Sequence, residues 1–389
     1  MKDIAIYTLT SELHNPEAVS QATKEFLDTL DISFDFRGDD FSDFGSHTLS
    51  LIYVRTGGTE GIFKRLLPTL TANLSSLTPI YLLTSGKSNS LAASMEILAY
   101  LRQHAMCGEI LHGDAAYITR RIHLLIQVSK AKRRVAGSRL GVIGRPSDWL
   151  IASHADYAAV RQELGVEIED IPMQELLDLL PLGDDMPVSA QEGALRIYEA
   201  LREVVHRHRL DGFTLRCFDL LTAVRNTGCL ALARLNAEGI IAGCEGDVPA
   251  MLSMLIVHSL IGVSGFQANP ARVNPETGEV LFAHCTIPLN MVERYEFDTH
   301  FESGIGVGIR GYMKPGPVTL FKVSGDLTSH FICEGQLEQN LSLPDLCRTQ
   351  QLIRLADPSA ASYFLTHPIG NHHIVLPGHC RALLEEFMK

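Results

Sequence analysis

IIAGCEGDVPAMLSMLIVHSL, residues 240–260, is the stretch that decides the fold. The apolar run Ile240–Cys244 reads as a buried strand, Glu245-Gly246-Asp247 as a tight acidic turn, and Val248–Leu260 as a helix. Strand, turn and helix make half of a βαβ unit, the building block of a parallel sheet. The same rhythm extends upstream. Ile4–Leu9, Leu49–Arg55 and Pro79–Thr84 read as strands, followed by helices over Pro16–Leu30, Ile62–Leu74 and Leu91–His104. Two of these strands run into Gly/Ser/Asn loops, at 56–61 and 84–90, where open α/β sheets bind ligands. Closer to the starting stretch, Arg139–Ile143, Val166–Ile171 and Gly212–Cys217 read as strands, and Ala190–Arg209 and Leu220–Asn236 as helices.

Downstream of about residue 264 the pattern changes. Gly265–Ala268, Val280–Cys285, Pro317–Ser324 and His330–Cys333 are short strand-like runs with Gly and Pro between them, as in an antiparallel β unit. A last helix spans Arg381–Met388. The basic run Lys130–Arg134 reads as a solvated helix end at a domain boundary. The expected fold class is therefore α/β. Two parallel-sheet, Rossmann-like α/β domains, 1–135 and 136–290, precede a smaller β-rich C-terminal domain, 291–389.

Composition narrows the function. The 389 residues are 46% apolar and 20% charged, enough for a real core and against a disordered chain. With 33 basic and 45 acidic residues the net charge is −12, which excludes a general nucleic-acid or anionic-membrane binder. No run approaches the ~18 uninterrupted apolar residues of a membrane span, and the N-terminus lacks a signal-peptide cleavage pattern. Eight cysteines without a CxxC pair read as reduced thiols, mostly in the core, of a cytoplasmic protein. Sixteen histidines are the unusual feature, since imidazole both ligates metals and titrates near neutrality.

Four segments concentrate chemistry. In GCEGDVPA (243–250), Glu245 ends a buried strand, where an unpartnered carboxylate is costly and a metal or cationic partner is favoured. Asp247 reads as the cap of the next helix or as a second functional acid. FQANPARVN (266–274) offers Asn269 and Arg272, or simply an Asn-Pro turn. LFAHCTIP (281–288) offers His284 beside Cys285, and the nearby HFESGIGVGIRG (300–311) adds His300 and Glu302. GIGVGIRG echoes a dinucleotide loop but lacks a following helix, so that reading is rejected. HPIGNHHIVLPGH (367–379) packs four imidazoles into thirteen residues. His372 and His373 point to opposite faces if extended, so only one enters a given site. Glu245, His284 and one of that pair would make an N/O site suited to Mn, Fe, Co or Zn rather than Ca.

TLRCFDLL (214–221), GCEGDVPAMLSML (243–255), GFQANPARVN (265–274), AHCTIP (283–288), HFESGIGVG (300–308), LCRTQ (346–350) and PIGNHH (368–373) together resemble the L-fucose/L-arabinose isomerase superfamily, in particular its short fucose isomerase-like proteins. The resemblance runs from about residue 140 to the C-terminus. It implies a cytoplasmic, metal-dependent aldose–ketose isomerase of carbohydrate metabolism, most often using manganese, with cobalt, iron or zinc as alternatives. It also implies a homo-oligomer, trimer or hexamer, with active sites between subunits. By position, Glu245, His284 and His372 take the metal, and Glu245 also acts as base. A second family carboxylate falls on Asn269, which can offer an amide oxygen but cannot shuttle protons, so Asp247, Glu302 or a water would complete the acid/base work. Arg216, Arg272, Arg348 and His373 are the candidates for holding substrate oxygens. The expected partner is a free, acidic or sulfonated sugar, with neither nucleic acid nor membrane. Two alternatives stay open: a non-catalytic sugar-binding protein on the same scaffold, because of Asn269, and a lyase or epimerase that also passes through an enediolate.

Overall fold

A computed structural model describes residues 2–72, 78–180 and 189–389, in two compact units, Met1–Lys130 and Ala131–Lys389. In the first unit, β1 (Ile4–Leu9), α1 (Pro16–Leu27), β2 (Phe34–Gly38), β3 (Leu49–Val54), α2 (Glu60–Thr71), β4 (Ile80–Leu83), α3 (Ser90–Gln103) and β5 (Gly108–Leu111) lead into α4 (Ala115–Val135). The strands form a parallel sheet in the order β2-β1-β3-β4-β5. Helices cover both faces: Ala5 and Tyr7 pack with Phe63 and Ile97 on one side, Ile4 and Ile6 with Ile118 and Ile122 on the other. Burial on two faces is why β1 reads as an unbroken apolar run. The Asn15 side chain caps α1, accepting from the Glu17 and Ala18 amides at 3.0 Å each. The expected tail of the second helix, 73–74, lies outside the described residues. The basic run Lys130–Arg134 falls in the last turns of α4, where cations suit the helix dipole.

The second unit opens with β6 (Arg139–Ile143), α5 (Tyr157–Leu164), β7 (Glu167–Ile171), α6 (Met173–Leu177), α7 (Ala190–His208), β8 (Gly212–Leu215), α8 (Cys217–Val224), α9 (Cys229–Ala237), β9 (Ile241–Cys244) and α10 (Val248–Ile261). Its four strands are parallel in the order β7-β6-β8-β9. One expectation is corrected: the single helix over 220–236 is two helices. Arg225 closes α8 in the left-handed conformation, φ +51°. The break is held from outside. Asn226 Nδ2 donates to the Ala190 carbonyl at 3.0 Å, and the Thr227 hydroxyl and the Val307 backbone exchange two bonds of 2.9 Å.

The chain then builds a closed antiparallel barrel from β10 (Phe266–Asn274), β11 (Glu279–His284), β14 (Gly316–Val323), β15 (His330–Leu341), β16 (Thr349–Leu355) and β17 (His373–Pro377), in the order β10-β11-β16-β15-β14-β17. A side hairpin of β12 (Arg294–Asp298) and β13 (Gly308–Tyr312), with α11 (Ala361–Thr366) and α12 (Arg381–Phe387), completes the unit. Closure pairs β10 with β17 and leaves no open edge on the six strands. Phe266, Phe282, Leu320, Ile353 and Val375 fill its core. The molecule is thus α/β, with parallel-sheet α/β layers and a β-rich C-terminal part. Among the described residues no helix is long and apolar enough to cross a membrane.

The position of β9 depends on Asn236, a buried residue of α9. Its amide donates to the Leu232 and Ala242 carbonyls at 3.0 and 2.7 Å and accepts from the Ala242 amide at 2.9 Å. Asn236→Ala strips partners from buried backbone groups, so urea unfolding should show a loss of about 2–4 kcal/mol. Asn290→Ala, at an exposed 3.5 Å contact, should cost less than about 0.5 kcal/mol.

Candidate metal centre

The site is built where β9 ends. Glu245 follows Cys244 with φ +62°, and Gly246 follows with φ +62° as well. A β-carbon at Gly246 would sit 2.9 Å from Ser147 Oγ and 3.0 Å from the Ser147 amide, so glycine is required there. A left-handed non-glycine residue is uncommon and costs of order 1–3 kcal/mol, which the surroundings must offset. Here the Ser147 hydroxyl bonds the Glu245 carbonyl, and the Trp149 indole N–H approaches Glu245 Oε2 at 3.5 Å. The turn thereby aims a largely buried carboxylate away from the strand.

Asp247 caps the next helix, as one of its two sequence readings has it, and also has a second partner. Its Oδ1 caps α10 by accepting from the Ala250 amide at 2.8 Å, and its Oδ2 accepts from His372 Nδ1 at 2.8 Å. Fixing the proton on Nδ1 turns the other ring nitrogen, Nε2, toward Glu245 Oε1 at 3.5 Å. His284, the last residue of β11, reaches the same oxygen with its Nε2 at 3.3 Å, while Thr286 Oγ1 lies 2.9 Å from its Nδ1. One ligand atom from each of Glu245, His284 and His372 lies within 4.8 Å of the others. The two rings meet edge to face, 5.3 Å between centroids.

The donor set tests well against a divalent cation. His372 Nε2 and Asn269 Oδ1 are buried and have no hydrogen-bond partner. Two imidazoles, a carboxylate and an amide oxygen are a ligand mixture suited to first-row divalent metals. Asp247 behind His372 is the carboxylate–histidine arrangement that orients metal ligands. The electrostatics agree. Burial would raise the Glu245 carboxyl, but His372 and His284 hold it far below the usual carboxylate range. Burial would lower His372, yet Glu245 and Asp247 raise it to about 9.

The pocket in front of this cluster is also lined by Asn269, His300, Glu302 and Phe218. Burial lowers the His300 pKa, and its Nδ1 lies 3.0 Å from Ser303 Oγ. Glu302 is exposed at the rim. None of the three candidate arginines is among the residues that line the pocket. Arg216 is buried beside the turn, paired with Asp148 and Asp219 at 2.9 Å each and stacked 4.7 Å over Trp149. Arg348 bonds the Thr299 carbonyl at 2.7 Å and approaches Asp298 at 3.5 Å, which ties the segment leading to Glu302. Arg272 lies on the exposed surface, paired with Asp345 at 2.7 Å, and does not line the pocket. Nor does His373, which turns away from His372. It is fully buried, 3.0 Å from the Tyr363 hydroxyl and ringed by Phe331 and Phe364, and burial lowers it to about 3.

His300 lines this pocket and Trp149 stands against Glu245, and nothing in the sequence gives either of them a role. Five of the eight cysteines, Cys217, Cys229, Cys244, Cys285 and Cys347, line the pocket. Four of them were legible, since TLRCFDLL, GCEGDVPA, AHCTIP and LCRTQ each carry one. A hydrogen bond from Cys347, with help from His284, lowers Cys285 to about 6 despite its burial.

No family model matches the chain. It is similar to curated proteins named sulfoquinovose isomerase, among them those of three bacteria. That of Alkalicoccus urumqiensis is 23% identical over 261 residues, 60% of this chain and 59% of the relative. That of Clostridium sp. (strain MSTE9) is 21% identical over 224 residues, 52% and 49%, and that of Priestia aryabhattai 22% over 267 residues, 61% and 59%. The chain thus spans only about half to three fifths of the length of the relatives it matches. At this low identity the similarity relates the chain to sugar isomerases of the fucose/arabinose type, at the level of a superfamily.

Proposed function

We propose that the protein is a metal-dependent aldose–ketose isomerase. The observation that carries this reading is the convergence of Glu245, His284 and His372 at one buried point facing a pocket. These three residues, with Asn269 beside them, would hold a divalent cation, manganese first among the candidates. Such a cation supplies Lewis-acid polarisation of the C1 and C2 oxygens of an open-chain sugar. The substrate is a free aldose, and the sulfonated sugar in the relatives' name is the first to test.

The chain's own groups divide the proton work. Isomerisation takes the proton from C2, protonates the C1 oxygen to give an enediol, removes the O2 proton and returns a proton to C1. Asn269 has no titratable group and takes no part in these transfers. Glu302 and His300 face the pocket and remain able to move protons, His300 in its neutral form. Glu245 would give up basicity as a ligand, so the C2 proton falls to Glu302, with His300 serving a hydroxyl. Arg216, held by Asp148 and Asp219, stiffens Trp149 against the carboxylate.

With manganese, cobalt or magnesium supplied, proton NMR of a panel of pentoses, hexoses and sulfonated hexoses should reveal interconversion of one aldose with its ketose. No turnover across the panel would refute the reading. Binding without turnover, combined with turnover by Asn269→Asp, would favour the sugar-binding alternative that the unpartnered Asn269 amide keeps open.

Asp247→Asn keeps an N-cap but weakens the hold on His372. Titration calorimetry with manganese should show roughly 10–100-fold weaker binding, with a circular dichroism spectrum like that of the parent protein. Glu245→Gln should reduce binding further, because it removes the charge that the cation faces.

A further inference from the structure

Two thiols touch beside the metal-site turn. The Cys244 S–H donates to Cys217 Sγ at 3.4 Å. Cys244 is the last residue of β9, immediately before Glu245, and is buried. Cys217 is the first residue of α8 and is half-buried on the pocket wall. The proximity follows from topology, because Leu215 and Cys244 are register partners in the β8–β9 ladder and Cys217 stands two residues further on. Disulfide sulfurs bond at about 2.05 Å, so the pair needs to close by only about 1.4 Å.

We propose that Cys217 and Cys244 form an oxidisable dithiol whose reversible disulfide moves the wall of the metal-site pocket. The oxidant is hydrogen peroxide. The pocket-facing Cys217 thiolate attacks one peroxide oxygen; the O–O bond breaks, and protonated hydroxide leaves as water. Cys217 is then a sulfenic acid. The Cys244 sulfur attacks it, the S–O bond breaks, and a second water leaves carrying the Cys244 proton. Two thiols lose two electrons and one peroxide becomes two waters. A dithiol reductant reverses the reaction by exchange.

The surroundings decide which partner moves. The Cys244 backbone is clamped: its amide donates to Gln267 Oε1 at 2.8 Å, and its carbonyl accepts from Gln267 Nε2 at 3.1 Å and Thr214 Oγ1 at 3.3 Å. The mobile end is therefore α8, whose next residue, Phe218, lines the pocket. Phe218 meets Trp149 edge-on, 5.4 Å between ring centroids, and Trp149 is the only tryptophan in the chain. Its indole reaches Glu245, so tryptophan emission reads both the wall and the metal-site carboxylate. The disulfide chemistry does not depend on the isomerase reading, and neither of its readouts is turnover.

The test exposes the full chain to hydrogen peroxide, alkylates free thiols and maps tryptic peptides by mass spectrometry. Residues 217–225 and 235–272 fall in separate peptides, each with one cysteine. The expected product joins these two peptides, disappears on treatment with dithiothreitol, and is accompanied by a reversible change in tryptophan emission. Cys217→Ser should remove both the cross-link and the emission change. If 217 and 244 stay alkylatable after peroxide, are oxidised singly to sulfinic acids, or if the cross-link instead joins Cys285 to Cys347, the proposal is overturned. A 217–244 cross-link with unchanged emission overturns its coupling to the pocket.

Discussion

The hydrogen bond from His372 to the buried carboxylate of Asp247 is the interaction on which the rest of this unit turns. Asp247 has no solvent exposure, and a buried carboxylate without partners is strongly destabilising. One of its oxygens is satisfied locally, at the start of α10. The other can be satisfied only from the barrel, by His372 and by the fully buried ammonium of Lys322 on β14, 4.0 Å away. The parallel sheet and the barrel therefore cannot separate without stranding a charge. The contact that joins them is also the contact that orients His372 toward Glu245 and His284.

From that bond the site assembles outward. His372 presents Nε2, β11 supplies His284 opposite it, and the left-handed Glu245 brings its carboxylate between the two. Three candidate ligands thus come from three separate chain segments, each fixed by a different device: a buried ion pair, a strand end and a strained turn. Rigid support of this kind keeps ligand geometry within narrow limits.

Much of the fold was readable because burial writes itself into sequence. Strands covered on both faces, such as β1 and β9, need apolar residues throughout, and the change after residue 264 marks the switch from parallel layers to an antiparallel barrel. The errors share a cause. Leu220–Asn236 looks like one helix because apolar residues at helical spacing lie on both sides of Arg225–Gly228. Asn226 and Thr227 break it only because Ala190 and Val307 lie near enough to bond them. Tertiary partners 36 and 80 residues away are invisible to local periodicity. The same holds for Arg272, whose position in a motif said nothing of its pairing with Asp345 on the surface.

At the site, sequence by itself determined which chemical groups were available: a carboxylate at a strand end, an acid at a helix start and an imidazole closing a strand. Residue type sets charge, donor capacity and pKa range, and these are local properties. Only the tertiary structure decided which groups meet. It chose His372 over its neighbour His373, since one ring found Asp247 and the other an aromatic cage. It gave Asp247 an imidazole and an ammonium beyond its own helix and gathered five scattered cysteines along a single pocket. Convergence of this kind depends on sheet order, strand register and barrel closure, and no single segment encodes those.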